Sequence, residues 1–279
     1  KLLLHYDVKN GLCDNTVWCL QMDEFGNIWI GTNNGLNVFD KKTKILKSYK
    51  HNPFNPFSIS NDIINTIYQD AQADLWFGTY DGLNYYDHKT GKFQSFRHIP
   101  DDTTSLSNDR IFGIYQDSRG KMWLGTMGGG LIRFSIKNGA EKIYTENNGL
   151  ANNMVYNILE DNKGNLWLTT NNGISKFNIH TETFVNYDVK DGVQSSEFNQ
   201  NAILKTTDGM LFLGGMNGFN AFYPDRIIQN SYIPPIVITA FKKFNQTQKT
   251  LISDGDTIYL SYQDNFFSLP IFFCSKAKF

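Results

Sequence analysis

The chain writes one phrase five times, and no other feature limits its fold as much. "DEFGNIWIGTNNGLNVFD" from Asp23 returns as "DAQADLWFGTYDGLNYYD" from Asp70, "DSRGKMWLGTMGGGLIRFS" from Asp117 and "DNKGNLWLTTNNGISKFN" from Asp161. A worn copy, "TDGMLFLGGMNGFNAFY", starts at Thr207. The central aromatics Trp29, Trp76, Trp123, Trp167 and Phe212 stand 47, 47, 44 and 45 residues apart. A period of this length marks a supersecondary unit that cannot bury its own apolar surface and is covered by its neighbours.

Each copy divides into four strand signals, called a to d here. In the second copy they are "DIINTIYQD" from Asp62, "DLWFGTY" from Asp74, "GLNYYD" from Gly82 and "KFQSFR" from Lys92. The short links between them carry turn residues, so successive strands pair as antiparallel hairpins. Strand a is apolar on both faces, with Val17, Ile64, Ile111 and Val155 on one and Leu20, Ile67, Ile114 and Ile158 on the other. Sheets buried on both faces need a sheet on either side, which repetition supplies in a β-propeller. The expected fold is therefore all-β, a propeller of four-stranded blades. Small residues at Cys19, Thr66, Gly113 and Asn157 suit a crowded inner strand, and Gly31, Gly78, Gly125 and Gly214 suit close approach between blades. In the a–b turn an Asp carboxylate can accept backbone N–H groups while Gly supplies positive φ, as at Asp23/Gly26, Asp117/Gly120 and Asp161/Gly164. A calcium loop would need more carboxylates than each turn offers.

The 26 basic and 27 acidic residues are spread along the chain, so no basic stripe is present and nucleic acid is not an expected partner. The apolar runs are strand-sized, too short for a transmembrane helix. The start, "KLLLHYDVKNG", is too short and polar for a signal peptide and lacks Met, so the chain reads as a piece of a longer protein. Cys13, Cys19 and Cys274 form no C-x-x-C pair and read as free or buried thiols. The five histidines have no metal-ligand spacing, and no cofactor or metal is expected.

With their fixed Trp, Gly-Thr and c-strand Gly, the copies from 15 to 223 resemble the two-component regulator propeller repeat of bacterial hybrid two-component sensors. "YIPPIVITAFKKFNQTQ" from Tyr232 and "DTIYLSYQDNFFS" up to Ser268 resemble the first strands of the Y_Y_Y sandwich that follows such propellers. The resemblance implies a periplasmic sensor region that recognises oligosaccharides from polysaccharide breakdown. It also implies a membrane-anchored, homodimeric parent that signals to a cytoplasmic histidine kinase. It divides the chain into a propeller, 1–228, and a truncated sandwich, 229–279. It further implies a full ring of more blades, commonly seven, of which about five are present. Four blades are expected at Asn15–Lys50, Asp62–His98, Asp109–Thr145 and Asn153–Asp188, with a fifth, Phe198–Tyr223, lacking strand d. Residues 2 to 8 look like a d strand without a blade, so the alternatives are an open arc or a five-blade closure through them. The tail "LPIFFCSKAKF" departs from the family pattern and is expected to be poorly ordered or borrowed by a neighbour.

Rival readings are a non-catalytic scaffold for a partner protein and, more remotely, a propeller lyase or glycoside hydrolase. The D-x-x-G-x-x-W turn has one residue too many for a sialidase Asp-box, and no catalytic grouping recurs, so no enzymatic activity is expected. The d–a links and b–c turns should share one face, which collects the variable residues. Asn33, Asn34, Tyr80, Asp81, Asn171, Asn172 and Asn217 on its b–c turns are the candidate ligand-binding residues, offering amides, a carboxylate and one ring to a sugar. Asn, Asp and Gly are also what tight turns select for their backbone tolerance.

Overall fold

The structure, a computed structural model, describes residues 5–227, 236–238, 240–244, 246–250, 257–263 and 266–273. Internal contacts divide the chain into two units, Lys1–Arg226 and Ile227–Phe279. The first is a row of five antiparallel sheets. Blade 1 comprises β1 (Val17–Met22), β2 (Ile28–Thr32), β3 (Gly35–Phe39) and β4 (Leu46–Tyr49). Blade 2 comprises β5 (Ile64–Gln69), β6 (Leu75–Thr79), β7 (Gly82–Asp87) and β8 (Lys92–Phe96). Blade 3 comprises β9 (Ile111–Gln116), β10 (Met122–Thr126), β11 (Leu131–Ser135) and β12 (Gly139–Tyr144). Blade 4 comprises β13 (Val155–Glu160), β14 (Asn165–Thr170), β15 (Gly173–Asn178) and β16 (Thr183–Tyr187). Blade 5 has three strands, β17 (Phe198–Lys205), β18 (Leu211–Gly215) and β19 (Gly218–Phe222). The first strands of successive blades touch one another, so they line the axis.

The fixed Trp does two jobs. Its ring leaves its own sheet and packs on an aromatic of the next blade: Trp29 on Tyr86 at 5.2 Å, Trp76 on Phe134 at 6.2 Å, Trp123 on Phe177 at 5.6 Å and Trp167 on Phe222 at 4.9 Å. Its indole N–H donates back to the turn Asp at 2.8–2.9 Å, pairing Trp29 with Asp23, Trp76 with Asp70, Trp123 with Asp117 and Trp167 with Asp161. The other carboxylate oxygen accepts two backbone N–H groups of the turn, as Asp117 does from Arg119 and Lys121. A buried carboxylate with charge-assisted bonds on both oxygens clasps turn and strand together. This explains the longer spacing from Asp to Trp. In the worn copy Phe212 has no N–H to satisfy, and Thr206 stands in for the Asp, its hydroxyl accepting from the Met210 N–H at 3.0 Å. Ala73, which replaces the turn Gly in blade 2, adopts the same positive φ of 68°.

Asp161 shows the electrostatics of the clasp. Burial opposes its ionisation, but the bonds from Trp167, the Asn165 side chain and backbone, and the Lys163 N–H outweigh it and hold the carboxyl below its ordinary range. A lowered folded-state pKa gives stability that is present above the unfolded value of about 3.9 and is lost as pH falls through the folded value. Asp161→Asn should therefore be less stable than the parent at neutral pH, with the gap narrowing under acid. A melting-temperature difference that stays constant with pH would refute this.

Glycine after the Trp permits close approach as expected. A Cβ on Gly78 would meet the Ile111 carbonyl oxygen of the next blade at 2.9 Å, and one on Gly125 the Val155 carbonyl oxygen at 2.7 Å. Gly214 differs, meeting only Ala202 of its own blade. The small residues at Cys19 and Asn157 face the next blade rather than the axis: Cys19 Sγ approaches the Ile64 carbonyl and Asn157 Nδ2 donates to the Asn199 carbonyl. Burial pushes the Cys19 thiol up to about 12.

The two ends of the row differ from its middle. Leu20 is 64% exposed, whereas its counterparts Ile67, Ile114 and Ile158 are at most 7% exposed. At the other end Phe219 is 65% exposed. Among the described residues β19 has no outer partner. Closure through residues 2 to 8 can be judged only for residues 5–8, since 2–4 lie outside the described residues. Those residues form no strand; Val8–Asn10 is a 3-10 turn capped by Asp7. Tyr6 packs on Phe39 at 5.3 Å, as Tyr49 packs on Tyr86 and Phe96 on Phe134, so it takes the place where the fourth strand of a preceding blade would end. The likeness of "YDVKNGL" to "YDVKDGV" is that of two such turns, each ended by Gly at positive φ, Gly11 and Gly192.

In the second unit β20 (Ile236–Ile238) pairs with β24 (Ile271–Phe273), and β21 (Ala240–Lys243) lies between β22 (Gln246–Thr250) and β23 (Phe267–Ser268). Part of the tail expected to be unordered or lent to a neighbour, Ile271–Phe273, is thus a strand paired within its own unit, in antiparallel register with Ile236–Ile238. Residues 229–235, 239, 245, 251–256, 264–265 and 274–279 of the expected sandwich, Cys274 among them, lie outside the described residues.

Candidate functional site

Every first strand of blades 1 to 4 carries a bulge at the same point, between Val17 and Cys19, Ile64 and Thr66, Ile111 and Gly113, and Val155 and Asn157. The residue left out of the ladder is Trp18, Asn65, Phe112 or Tyr156. A bulge re-aims the side chain it leaves unpaired. In β17 the irregularity widens to the segment between Phe198 and Ile203.

These residues lie where each first strand begins, at the face shared by the blade-to-blade links and the turns between second and third strands, and two of them, Phe112 and Tyr156, meet there. The shared face follows from hydrogen bonds: Gly35, Gly82 and Gly173 donate to the Asp62, Asp109 and Ser196 carbonyls of the next link. The first turn residue lies beside the entry to the first strand, with Asn33 N–H on the Thr16 carbonyl and Met127 N–H on the Arg110 carbonyl. Phe112 stacks on Tyr156 at 5.8 Å with planes 9° apart, and Tyr80 leans on Phe112 at 6.3 Å. The Arg110 guanidinium lies over Tyr80, 5.1 Å from its centroid. Tyr156 Oη donates to Asn171 Oδ1 at 3.3 Å. Burial, then the nearby Glu197 charge, raises the Tyr156 phenol. Trp18, 46% exposed, presents the freest ring of the group.

Below this mouth the first strands enclose a cavity of about 560 Å³, lined by Trp18, Ile67, Tyr68, Tyr115, Ile158 and Asn201 among others. Asn201 spans it from β17, with positive φ of 57°. Its side-chain amide donates to the Trp18 carbonyl at 3.0 Å and the Asn65 carbonyl at 2.8 Å.

Two of the seven candidate residues fall in this cluster, Tyr80 and Asn171. Asp81 does not, since it turns outward to Arg97 at 3.1 Å. Asn172 donates to the Ala151 carbonyl, and Asn217 is tied to Gln194 through its backbone N–H and its amide. Asn33 and Asn34 are exposed on the turn of blade 1, with the Asn34 N–H on Thr32 Oγ1. The long links are less free than their composition implies. His51 binds the Ile59 carbonyl at 2.9 Å, His98 binds the Leu106 carbonyl at 2.6 Å, and Ile59 and Leu106 are buried. Both histidines are loop braces. Trp18, Phe112, Tyr156, Arg110 and Glu197 escaped the reading of the repeat. The signal for three of them is that one position of strand a reads Trp, Asn, Phe and Tyr directly after a position that holds only Val or Ile. Among the described residues no group of His, Cys, Asp and Glu could hold a metal, and no helix is long and apolar enough to cross a membrane.

Several known proteins are similar to this chain in sequence or fold. Over 107 residues, 38% of this chain, it is 30% identical to Histidine kinase P4 of Formosa agariphila and spans 8% of that protein. The extracellular domain of a hybrid two-component system of B. thetaiotaomicron superposes with a TM-score of 0.67 at 24% identity, covering 82% of this chain and 32% of that one. A second such domain from B. thetaiotaomicron gives 0.55 at 23% identity, over 95% of this chain and 42% of its own. Virginiamycin B lyase from Staphylococcus aureus gives 0.55 at 19% identity, over 78% and 70%. At these identities the solved structures speak to the fold alone. The family description "Two component regulator propeller" matches residues 11–34, 105–128 and 149–172, which open blades 1, 3 and 4. Three of the five copies thus carry the two-component regulator propeller repeat, each at the start of a four-stranded blade.

Proposed function

We propose that this chain is the periplasmic ligand-sensing region of a hybrid two-component sensor histidine kinase, and that its ligand is an oligosaccharide released from a polysaccharide. The observation that carries the ligand class is the axial mouth. Tyr80 and Trp18 offer partly exposed rings to the C–H face of a sugar, while Asn171, which accepts from Tyr156 at the end of the stack, offers an amide to its hydroxyls. Repeat membership and likeness to extracellular domains of two-component systems support the sensor role. Kinase chemistry belongs to parts of the longer protein, and the membrane-anchored parent would act as a homodimer. The region itself has no catalytic activity in this reading; turnover of a glycan, lost with a single carboxylate substitution, would contradict it.

Calorimetric titration with a panel of oligosaccharides tests the ligand. Trp18→Ala with Tyr80→Ala should weaken binding at least about tenfold, the order expected for lost aromatic contacts. Asp81→Ala should change it little. Saccharide binding indifferent to Trp18 and Tyr80 would move the site elsewhere. A folded protein that binds no saccharide but captures a protein partner through this face would favour the scaffold reading.

A further inference from the structure

The cation at this mouth is built in. Arg97 is paired with Asp81, and Arg133 with Glu141 and Glu182, whereas Arg110 has no ion-pair partner among the described residues. Its neighbouring carboxylate, Asp109, is occupied by the His98 backbone N–H at 2.6 Å. At the other end of the stack, Glu197 of the next link is near enough to Tyr156 for its charge to act on the phenol. Arg110 is exposed yet not loose. Its guanidinium lies on Tyr80, Tyr80 leans on the buried Phe112, Phe112 stacks on Tyr156, and Nη1 rests on Met127 Sδ at 3.4 Å. Sulfur is a weak acceptor, so the N–H fork keeps most of its hydrogen-bonding capacity. A guanidinium held flat by an aromatic column loses little rotamer freedom on binding and meets a planar or trigonal anion with paired donors.

We infer that Arg110 receives an anionic substituent, a carboxylate or a sulfate ester, on the sugar that occupies the mouth. The inference rests on the oligosaccharide reading above and narrows it to acidic saccharides. The ligand enters with its charge at the Arg110 end of the stack and hydroxyl donors toward Glu197, because the reverse orientation would set two anions together. The guanidinium edge supplies specificity, and the exposed parts of Tyr80 and Trp18 supply apolar contact.

The test titrates the whole chain with three probes of equal length: a galacturonic acid oligomer, a sulfated galactan oligomer and a neutral galactan oligomer. One acidic probe should bind and the neutral one should bind at least about tenfold more weakly, and which acidic probe binds separates carboxylate from sulfate. Arg110→Gln should weaken the acidic probe about 10- to 100-fold, the range of a charge-assisted hydrogen bond, without altering the melting temperature. Arg110→Lys should recover only part of the loss, since it keeps the charge but not the fork. Acidic binding unchanged in Arg110→Gln overturns the inference. Neutral binding of equal strength, lost in Trp18→Ala with Tyr80→Ala, overturns it too but leaves the oligosaccharide reading standing. Binding of none of the three overturns both.

Discussion

Trp123→Ala should destabilise the protein by about 3–5 kcal/mol, whereas Trp18→Ala should stay within about 0.5 kcal/mol of the parent. Both residues are tryptophans near strand ends, but their surroundings oppose each other. Trp123 is fully buried between blades 3 and 4, against Tyr144 and Phe177, with its indole N–H on Asp117 Oδ2 at 2.8 Å. Removing the ring leaves a cavity between two sheets and an under-satisfied buried carboxylate. Trp18 stands on a bulge where its strand begins and is 46% exposed, so its removal opens no enclosed cavity. Trp123→Phe separates the two parts of the loss, because it keeps most of the ring but not the donor. It should cost about 1–3 kcal/mol, the penalty for an orphaned buried polar group. Urea unfolding of the four proteins measures this, and similar midpoints for Trp123→Ala and Trp18→Ala would show that the clasp does not hold the blades.

Gly130→Ala should cost more than Gly128→Ala, although the two glycines sit in one turn at positive φ, 81° and 98°. Each substitution puts an L residue into a left-handed conformation, at roughly 1–2 kcal/mol. At Gly128 that is the whole effect, since an added Cβ meets nothing within 4 Å. At Gly130 the Cβ runs into the Tyr144 carbonyl oxygen at the end of β12, so strand or turn must also move. The displacement reaches the mouth as well, because this turn carries Met127, on whose sulfur Arg110 rests. Gly130→Ala should thus lose both stability and ligand binding, and Gly128→Ala mainly some stability. Equal unfolding midpoints would mean that the turn yields without strain.

What the sequence by itself determined was the unit and its number. Repeat length, hairpin spacing and two-sided apolar strands demand stacked four-stranded sheets, because local hydrogen bonding and burial of repeated faces act within one copy or between adjacent ones. For the same reason the turn Asp, the turn Gly and the Gly after Trp could be assigned roles from one copy alone, though the indole bond that joins Trp123 to Asp117 became visible only once the turn was folded back on the strand. Tyr80 was legible as a ring that a turn does not need. What only the tertiary structure decided was the neighbourhood of residues that belong to different copies. Phe112 and Tyr156 are 44 residues apart and read as ordinary strand residues; a bulge in each strand and the approach of two blades turn them into one stack beneath Tyr80 and Arg110. Asp81 read as a ligand-binding carboxylate on the same turn as Tyr80, yet successive residues of a tight turn point apart, and its carboxylate went to Arg97. The exposure of the first blade's inner strand was likewise beyond the repeat, since Leu20 and Ile67 occupy the same place in the same phrase, yet Leu20 is exposed and Ile67 is buried.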